Sequence, residues 1–426
     1  MNVFRGWAVV TGSLIGVGFC SQIFIATGYT ILAAGLASAF GWSFADLALA
    51  ATLFLAGQVL GYPIAGFITD RFGTLRSALA GIVLFALHLI ILTRITALWQ
   101  LYVVMLSMGL FGPLTYIIPY ARAVSLWFSR KRGIAFGIVM AGTALGGILY
   151  PLSIQQIIAA SGWTQALLAV AAIQLLICLP AVAFLVRDSP EPFGLCPDGD
   201  PAPAENSGPE AARAAAAEGR TFGEAVRSMD FWLLASVFFL VGLTSFAVVT
   251  NSVHILKETA SLDIAQVAKV QAIIGVTILV GRLIIGALLD RFSDRWAGAI
   301  INILAAMGFV GFAMSDNLVM VLVSGAFLGF AVGGEGNILP FMVAKYFGQR
   351  SFGKILGAAM GIFGLGTALG PVTFTWLVEL TGSIQATLLV FAALVFVSAA
   401  NFLFIGRRKL SSLSQESLGK GVISNV

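Results

Sequence analysis

The chain has 426 residues, of which 59% are hydrophobic and 10% are charged. Soluble domains carry about 25% charged residues, and the mean hydropathy of this chain is +0.98. The composition excludes a water-soluble protein and predicts an all-α membrane protein embedded in a lipid bilayer.

Twelve apolar segments are long enough to cross a membrane as helices. Their approximate limits are 7–36, 44–69, 75–96, 98–127, 133–159, 163–186, 231–256, 264–289, 296–315, 318–346, 353–379 and 384–406. The first segment is too long to be a cleavable signal, and a second span follows it at once.

The longest polar stretch runs from 187 to 228 and is rich in Pro, Gly, Ala and Glu. This composition is typical of a largely disordered linker, with one short helix expected near 221–228. We therefore divide the chain into four parts: a six-helix half at 1–186, the linker at 187–228, a second six-helix half at 229–410, and a tail at 411–426.

The basic residues are distributed unevenly between the two sides of the membrane. If the N-terminus is cytoplasmic, 19 of the 24 lysines and arginines fall on the cytoplasmic side, and three fall outside, at Arg94, Lys257 and Lys269. Arg122 and Arg282 remain within spans. Cytoplasmic loops carry such an excess of positive charge, so we expect both termini and the linker to be cytoplasmic. The net charge of +5 then reflects topology, and we expect no nucleic-acid partner.

Few residues offer metal or cofactor chemistry. The three cysteines, Cys20, Cys178 and Cys196, have no ligand-like spacing, and the chain has two histidines. We expect no metal site, no disulfide framework and no cofactor. The segment GTALGG does not indicate a phosphate-binding loop, because no strand precedes it.

The two halves repeat one another at an offset of 220 residues. Gly66, Asp70 and Arg71 correspond to Gly286, Asp290 and Arg291. The fifth and eleventh spans match in the same way, through Gly133, Gly137, Gly146 and Pro151 with Gly353, Gly357, Gly366 and Pro371. Two parallel six-helix repeats predict a transporter whose substrate site lies near the membrane midplane, between the halves.

The motif at Gly66, Asp70, Arg71 and Gly73, with a weaker copy at Gly286, Asp290 and Arg291, resembles the loop signature of the major facilitator superfamily. Four segments resemble the monocarboxylate transporter family and its bacterial carboxylate-transporting relatives: WFSRKRGIAFGIVMAG (127–142), RGWAVV (5–10), LPFMVAKYFG (339–348) and PEPFGLCPDGD (190–200). The resemblance implies the major facilitator fold, with twelve transmembrane helices in two pseudo-symmetric halves, in the inner (plasma) membrane. It also implies that Arg282 binds a substrate carboxylate and that Gly66, Asp70, Arg71, Asp290 and Arg291 form a gating motif.

Arg282 is the main candidate for substrate binding. It lies about 13 Å of helix rise from Arg291, well inside a span. Because an arginine in a span costs about 2.5–3.5 kcal/mol to insert, it should face protein or water. Helical spacing places Gln271 on the same face, which is polar and small. The guanidinium then either binds a substrate carboxylate in a bidentate manner or forms a permanent ion pair between helices.

Glu335, in the tenth span, is the expected partner of Arg282 at similar depth. It could pair with Arg282 in the empty site and take a proton when the substrate arrives, which would couple a proton to the anion. The alternative is a structural role beside the helix kink near Pro340. Asn337 could hydrogen-bond the substrate or cap that kink.

The first half offers four further candidates for substrate binding. Arg122 could be a second anion contact, which would suit a dicarboxylate, or could extend to the cytoplasmic surface. Tyr116 and Tyr120 could donate to a carboxylate, although aromatic packing is the commoner role. Tyr62 occupies the position that corresponds to Arg282. We therefore expect the second half to hold the charged end of the substrate and the first half to offer neutral groups.

The seventh span ends with Asn251, a polar residue within the span, and His254, which could sense protons at the outer gate. An interfacial histidine is the alternative. Asp46 and Asp263 stand at helix starts and are interpreted as N-terminal caps. His88 is interpreted as a packing residue.

The sequence therefore predicts a secondary transporter that moves a small organic anion, a mono- or dicarboxylate, by proton symport and alternating access, and that functions as a monomer. The alternative within the same superfamily is an efflux antiporter for drugs or hydrophobic compounds. A membrane receptor would need an ordered soluble domain, and a membrane enzyme would need a catalytic cluster; the sequence contains neither pattern.

Overall fold

The computed structural model describes residues 4–406 except 202–209, 211–213, 215, 216, 261 and 316. These residues form twelve helices that are long and apolar enough to cross a membrane. The first half contains α1 (Arg5–Phe40), α2 (Phe44–Phe72), α3 (Thr74–Leu92), α4 (Leu98–Trp127), α5 (Arg132–Ser161) and α6 (Trp163–Leu185). The second half contains α7 (Met229–Ala260), α8 (Ile264–Leu289), α9 (Asp294–Met314), α10 (Leu318–Phe347), α11 (Phe352–Thr381) and α12 (Ile384–Phe404).

The all-α architecture with twelve spans is confirmed. The proposed tail at 411–426 and the last residues of the second half, 407–410, lie outside the described residues.

Helix starts in the two halves are specified by the same local chemistry. At the start of α2, the Ser43 side chain accepts a hydrogen bond from the Asp46 N–H, and the Asp46 carboxylate accepts one from the Ser43 N–H. Asp263 and Gln266 make the same reciprocal pair at the start of α8, 220 residues later. These capping boxes satisfy N–H groups that a helix leaves free. Asp263 is the N-cap of α8, as interpreted, whereas the N-cap of α2 is Ser43 and Asp46 is the third helical residue that completes its capping box.

The halves meet where α2 packs against α11 and where α5 packs against α8. A methyl group added at Gly66 would overlap the Gly353 carbonyl oxygen, and one added at Gly133 would overlap the Gly286 carbonyl oxygen. These contacts are backbone to backbone, which only small residues permit. These contacts lie at the end of the helix bundle where α2 carries Asp70 and where Asp290 follows α8. We call this end of the protein the closed face.

Farther along the same helices the halves diverge. A methyl group added at Gly147 of α5 or at Gly275 of α8 would meet no atom within 4 Å. The residues at the corresponding positions of the other half, Thr367 and Leu55, line an internal cavity. The two halves are therefore in close contact at the closed face and enclose a cavity beyond it.

Helices α1 and α4 of the first half are broken, and α6 contains a π-helical segment, Gln174–Cys178. Helix α1 breaks at Phe19 and Cys20, and α4 contains a 3₁₀ turn, Gly112–Thr115, before Tyr116. The Phe19 carbonyl oxygen accepts hydrogen bonds from the Tyr150 hydroxyl, at 2.9 Å, and from the Gln174 amide. A helix break inside a membrane requires such partners, because the bilayer core offers no water to the freed backbone groups.

The two breaks also contact each other. The Ser21 N–H donates to the Thr115 hydroxyl at 3.1 Å. Thr115 in turn donates to the Gly112 carbonyl oxygen at 2.7 Å. Side chains from α4, α5 and α6 therefore hold the irregular backbone of α1 in place.

The linker is more ordered near its two ends than its composition indicated. The Asp198 carboxylate accepts hydrogen bonds from the N–H groups of Ser129, Arg130 and Lys131. Near the other end, the Glu218 carbonyl oxygen accepts from the Gln349 and Arg350 N–H groups. The expected short helix is present at Phe222–Val226. The Asp198 carboxylate and the Glu218 carbonyl oxygen thus hold these two parts of the linker against the closed face.

Candidate functional site

The cavity between the halves has a volume of about 250 Å³. It is lined by residues of α1, α2, α4 and α5 from the first half and of α7, α8, α10 and α11 from the second. Its lining is largely apolar and includes Phe238, Phe246 and Phe363. The polar residues in the lining are Gln22, Gln58, Tyr62, Tyr116, Arg282, Glu335 and Thr367. A small, mostly apolar cavity with a few convergent polar groups is the usual form of a small-molecule site.

A larger groove of about 670 Å³ lies between α9 and α12. Its lining contains only apolar side chains, including Met307 and Phe396, both of which are exposed on the outer surface of the bundle. A groove of this kind offers no group that could orient a polar substrate. The central cavity lies between the halves and contains polar groups, so it is the candidate site.

Arg282 reaches this cavity from α8, as the sequence predicted. Its guanidinium donates a hydrogen bond to the Met140 carbonyl oxygen of α5, in the opposite half. The Nε–H is buried and has no hydrogen-bond partner among the described residues. The side chain therefore bridges the halves and keeps donor capacity in the cavity wall.

Glu335 also lines the cavity, but the expected ion pair is absent. Among the described residues Arg282 has no carboxylate partner within 4 Å. The guanidinium is engaged by the Met140 carbonyl oxygen instead. The Glu335 side chain is buried, and its Oε1 atom has no hydrogen-bond partner in the described part of the chain. The expectation that the two residues pair in the empty site is wrong for this conformation.

Asn337 has a structural contact. It is fully buried, and its side-chain N–H donates to the Arg282 carbonyl oxygen at 2.6 Å. It is not among the residues that line the cavity. Asn337 therefore joins α10 to the backbone of α8 at Arg282, and the alternative of a direct substrate contact is not supported.

Tyr62 and Tyr116 line the cavity, as expected, whereas Tyr120 does not. The Tyr120 ring is fully buried and packs against Gly16 of α1. The break in α4 explains the difference, because Tyr116 has an extended backbone just before the second helical segment, whereas Tyr120 lies within that segment. Tyr120 is a packing residue.

Arg122 belongs to the closed face and not to the cavity. Its Nε atom lies 3.8 Å from an Asp70 carboxylate oxygen, and its Nη1 donates to the Thr69 carbonyl oxygen at 3.0 Å. The prediction of a second anion contact in the cavity is therefore wrong. The physical reason is that the nearby carboxylate of Asp70 already compensates this charge.

The three remaining candidates lie away from the cavity. The Gln271 side chain donates to the Ser252 hydroxyl at 3.1 Å, which joins α8 to α7. The Asn251 side chain donates to the Ala247 carbonyl oxygen of its own helix. His254 is exposed and is not among the described residues of the cavity wall. The interpretation of His88 as a packing residue agrees with its hydrogen bonds to the Leu84 carbonyl oxygen and the Ser107 hydroxyl.

Two cavity residues, Gln22 and Gln58, were not recognised from the sequence. The Gln58 side chain donates a hydrogen bond to the Gln22 side chain. A signal was available for Gln58, because it lies one helical turn from Tyr62 and two turns from Gly66 on the same face of α2. No comparable pattern indicated Gln22, because its orientation depends on the break in α1.

The loop motifs form matching contacts across the closed face. The Asp70 carboxylate accepts hydrogen bonds from the Gly353 and Lys354 N–H groups at the start of α11, at 2.8 and 2.9 Å. The Asp290 carboxylate accepts from the Gly133 and Ile134 N–H groups at the start of α5, at 2.6 and 2.9 Å. Each carboxylate thus caps a helix of the opposite half, where the helix dipole favours negative charge.

The electrostatics at Asp290 reflect two opposing influences. Burial raises the pKa of the Asp290 carboxyl group, and the hydrogen bonds from Ile134 and Gly133 act in the opposite direction.

Arg71 and Arg291, the arginines of the two motifs, are exposed. Arg122 is the arginine that contacts a motif carboxylate, at Asp70.

A further contact across the closed face involves residues outside the motifs. The Gln349 side chain donates to the Ser125 hydroxyl at 2.9 Å and accepts from it at 3.1 Å. Ser125 belongs to α4, and Gln349 lies in the loop between α10 and α11. Both side chains are buried.

Comparison with known proteins agrees with this architecture. The sequence profile of the Major Facilitator Superfamily matches residues 14–288 and 234–423. The chain is 23% identical over 418 residues to monocarboxylate transporter 12 of Rattus norvegicus, covering 92% of this chain and 84% of the relative. It is 28% identical over 303 residues to a probable sulfoacetate transporter of Cupriavidus necator, covering 67% of each.

The fold is similar to that of a solved proton:xylose symporter, with a TM-score of 0.71, 17% sequence identity, and coverage of 93% of this chain and 94% of that one. This likeness concerns the fold alone. Members of the matched family are transporters and not enzymes, and twelve candidate spans agree with a multi-pass protein of the kind found in bacterial inner membranes. The chain belongs to the Major Facilitator Superfamily and is a membrane transporter.

Proposed function

We propose that this transporter moves a small organic anion whose carboxylate binds Arg282, together with a proton. The observation that carries the proposal is the guanidinium of Arg282 in the cavity between the halves, without a carboxylate partner within 4 Å among the described residues. An uncompensated charge at this depth is expensive, and a substrate anion would compensate it.

The size of the cavity and the relatives support the same substrate class. A volume of about 250 Å³ falls below the range of roughly 300–1,000 Å³ that is usual for drug-sized ligands. Two of the relatives are named for monocarboxylates and for sulfoacetate, which are small organic anions. A small acid therefore fits better than a large hydrophobic compound, the alternative substrate.

Glu335 is the proposed proton carrier. It lies in the same cavity as Arg282, and its buried Oε1 atom has no described partner. This unpaired carboxyl oxygen is available to take a proton when the substrate arrives. Entry of an anion at Arg282 with a proton at Glu335 would keep the net charge of the site balanced. His254 is less suited to this role, because it is exposed and outside the cavity wall.

Alternating access would proceed by opening of the closed face. If the basic loops are cytoplasmic, the closed face is cytoplasmic. Opening toward the cytoplasm would then require loss of the hydrogen bonds that Asp70 and Asp290 accept from the opposite half.

Thermal stabilisation of the purified protein by a panel of mono-, hydroxy- and dicarboxylates tests the anion site. A ligand that binds the native state raises the melting temperature. We expect at least one acid to stabilise the wild type and to have no effect on Arg282→Gln. Arg94→Gln, which removes a positive charge from an exposed loop, is the matched control and should respond like the wild type.

Absence of stabilisation by every acid, in folded and monodisperse wild-type protein, would refute the carboxylate assignment and favour efflux of hydrophobic compounds.

Proton coupling has a separate test in proteoliposomes. We expect Glu335→Gln to abolish accumulation driven by a pH gradient while acid binding persists. Full accumulation by this variant would exclude Glu335 as the proton carrier.

A further inference from the structure

Two carboxylates, Asp198 of the linker and Asp290 of the second half, bind neighbouring parts of one loop of the first half. Asp198 accepts hydrogen bonds from the backbone N–H groups of residues 129–131, at 2.8 to 3.2 Å. Asp290 accepts from the N–H groups of Gly133 and Ile134, at the start of α5. A helix leaves its first N–H groups without partners in the helix. Here the linker and the opposite half together satisfy the N–H groups around the start of α5.

The second half repeats this arrangement at the start of α11. The Glu218 carbonyl oxygen of the linker accepts hydrogen bonds from the N–H groups of residues 349–350, at 2.7 and 2.9 Å. The Asp70 carboxylate of the first half accepts from those of residues 353–354. The two pairs of donors lie 220 positions after residues 129–130 and 133–134. The linker therefore binds equivalent positions in both halves, with a charged side chain in the first and a backbone carbonyl in the second.

The backbone of Asp198 adopts an unfavourable conformation. Its φ of 68° is the one positive φ of a non-glycine residue among the described residues. Residues with a side chain seldom adopt this region, and they persist there only where the surrounding contacts hold them. The Asp198 side chain is only 4% exposed, although it belongs to a polar linker. The contacts of its carboxylate with the loop are therefore the feature that holds this conformation.

The start of the linker is fixed to the first half. The Trp127 indole N–H donates to the Arg187 carbonyl oxygen at 3.0 Å, and the Leu75 N–H donates to the Asp188 carboxylate at 2.9 Å. All polar partners of the Asp198 side chain in the described part of the chain also belong to the first half. Asp198 therefore does not join the halves itself, and any effect on their contact must act through the loop.

Asp198 has two opposing effects on the contact between Asp290 and α5. It orders the loop before α5, so that less conformational entropy is lost when the next N–H groups bind Asp290. Its negative charge repels that of Asp290; burial first, and then this charge, raise the pKa of the Asp290 carboxyl group. Arg132 interacts electrostatically with both carboxylates and offsets their repulsion. The ordering of the loop should therefore be the larger effect.

We propose that Asp198 is a positioning residue of the closed face: it orders the loop before α5 so that Gly133 and Ile134 bind Asp290, and it thereby favours the closed conformation. The linker is then a functional part of the closed face as well as a connection between the halves. This inference rests on one part of the proposed function, the opening of the closed face, and is independent of the substrate.

Cysteine labelling measures how often the closed face opens. The reporter is Ala344→Cys, in full-length protein without native cysteines. Ala344 is 7% exposed and lines the groove between the halves together with Ser125 and Gln349. A faster labelling rate then reports a larger population of the open state.

Two variants of Asp198 separate its hydrogen bonds from its charge. Asp198→Gly removes the carboxylate and suits the positive φ, whereas Asp198→Asn removes the charge and keeps an acceptor. We expect labelling to become about fivefold faster in Asp198→Gly and less than about twofold faster in Asp198→Asn, as the loss of hydrogen bonds predicts. Asp200→Gly is the matched control, because the Asp200 carboxylate binds the Arg130 side chain and no described backbone N–H. It should label like the wild type.

A double-mutant cycle shows whether Asp198 acts through Asp290. In an Asp290→Asn background, Asp198→Gly should change the labelling rate less than about twofold, because the contact that it supports is already weakened. In an Asp70→Asn background, which weakens the contact at α11 instead, the effect should remain about fivefold. A merely structural role of Asp198 would give the same ratio in both backgrounds. Asp198→Ala replaces Asp198→Gly in the cycle if the glycine variant is not folded.

The proposal is overturned if Asp198→Gly labels like the wild type, if the glycine and asparagine variants are equally fast, or if the two backgrounds give the same ratio. Failure of the proposed opening gives a different result. The reporter would then remain unlabelled in every variant, including Asp290→Asn and Asp70→Asn, and the inference would fall with the opening on which it rests.

Discussion

The two halves of the transporter share a frame but place polar groups in the membrane in different ways. In the first half α1 and α4 are broken, and the breaks are stabilised by neutral side chains such as Thr115 and Tyr150. In the second half α7 and α10 are continuous, and charged residues, Arg282 and Glu335, face the cavity. The first half therefore places neutral polar groups in the cavity, from the broken α1 and α4 and from the regular α2, and the second half places charges there from regular helices.

Repeat-related positions show where the halves diverge. Thr115 corresponds to Glu335, Tyr62 to Arg282, and Tyr150 to Gly370. The glycines of the closed face, by contrast, are the same in both halves, and so are the carboxylates Asp70 and Asp290 with their paired helix caps. The repeat thus preserves the packing and the contacts that join the halves, and it varies the polar residues within the membrane.

The largest expected effect comes from removing the positive charge of Arg282 in the second half. We expect Arg282→Gln to lower uptake of the best acid into proteoliposomes more than about 100-fold, since a charge-assisted bidentate contact would be lost. Tyr62→Phe, at the corresponding position of the first half, should lower uptake less than about fivefold. Equal losses of uptake in the two variants would show that substrate binding does not depend mainly on the charge in the second half.

The glycines of the closed face test the part that the halves share. We expect Gly66→Ala and Gly133→Ala each to lower the melting temperature in detergent by about 3–6 °C, because the added methyl group overlaps backbone of the opposite half. Gly147→Ala and Gly275→Ala, where the methyl group meets no atom within 4 Å, should change it by less than about 1 °C. A large effect at one closed-face glycine alone would show that the two contacts are not equivalent.

A smaller effect on stability is expected for the hydrogen bond that supports the break in α1. Tyr150→Phe removes one of the two side chains that bind the Phe19 carbonyl oxygen, which should cost about 1 kcal/mol. We expect the melting temperature to fall by about 1–3 °C. Tyr116→Phe is the control, because the Tyr116 hydroxyl makes no hydrogen bond among the described residues, and its melting temperature should remain that of the wild type. Similar shifts in both variants would mean that the Tyr150 bond does not support the break.

The smallest expected effect concerns the contact between Ser125 and Gln349. Ser125→Ala removes one neutral hydrogen-bonding partner across the closed face. We expect cysteine labelling at the closed face, in a background without native cysteines, to become about two- to fivefold faster as the open state gains population. Asp70→Asn should accelerate labelling more, because it weakens two backbone caps and leaves Arg122 without its carboxylate. The reverse order would contradict the role of the motif carboxylates as the stronger contacts.

Much of the architecture was predictable because it depends on local pattern. Apolar runs long enough to span a membrane, the caps at Asp46 and Asp263, and the repeat at 220 residues are all properties of neighbouring or regularly spaced residues. The position of Arg282 in the cavity was predictable as well, since a buried arginine in a span must face protein or water. The ordered ends of the linker were not predictable from composition, because Asp198 acts through loop N–H groups that are distant in sequence.

The candidate site was predicted only in part, for the same reason. Arg122 and Tyr120 were expected in the cavity as polar residues of the fourth span, but Arg122 is engaged by Asp70 and the Tyr120 ring packs against Gly16. Gln22 was not recognised, because the break in α1 that directs it requires Tyr150 and Gln174.

The sequence by itself determined the membrane class, the twelve spans, the internal repeat and the presence of a charge inside the second half, because these follow from composition, length and spacing. Only the tertiary structure decided which polar groups meet. It separated Arg282 from Glu335, joined Arg122 to Asp70, and paired Gln22 with Gln58. Such pairings depend on contacts between helices and on where a helix is broken, and neither is encoded in the periodicity of a single span.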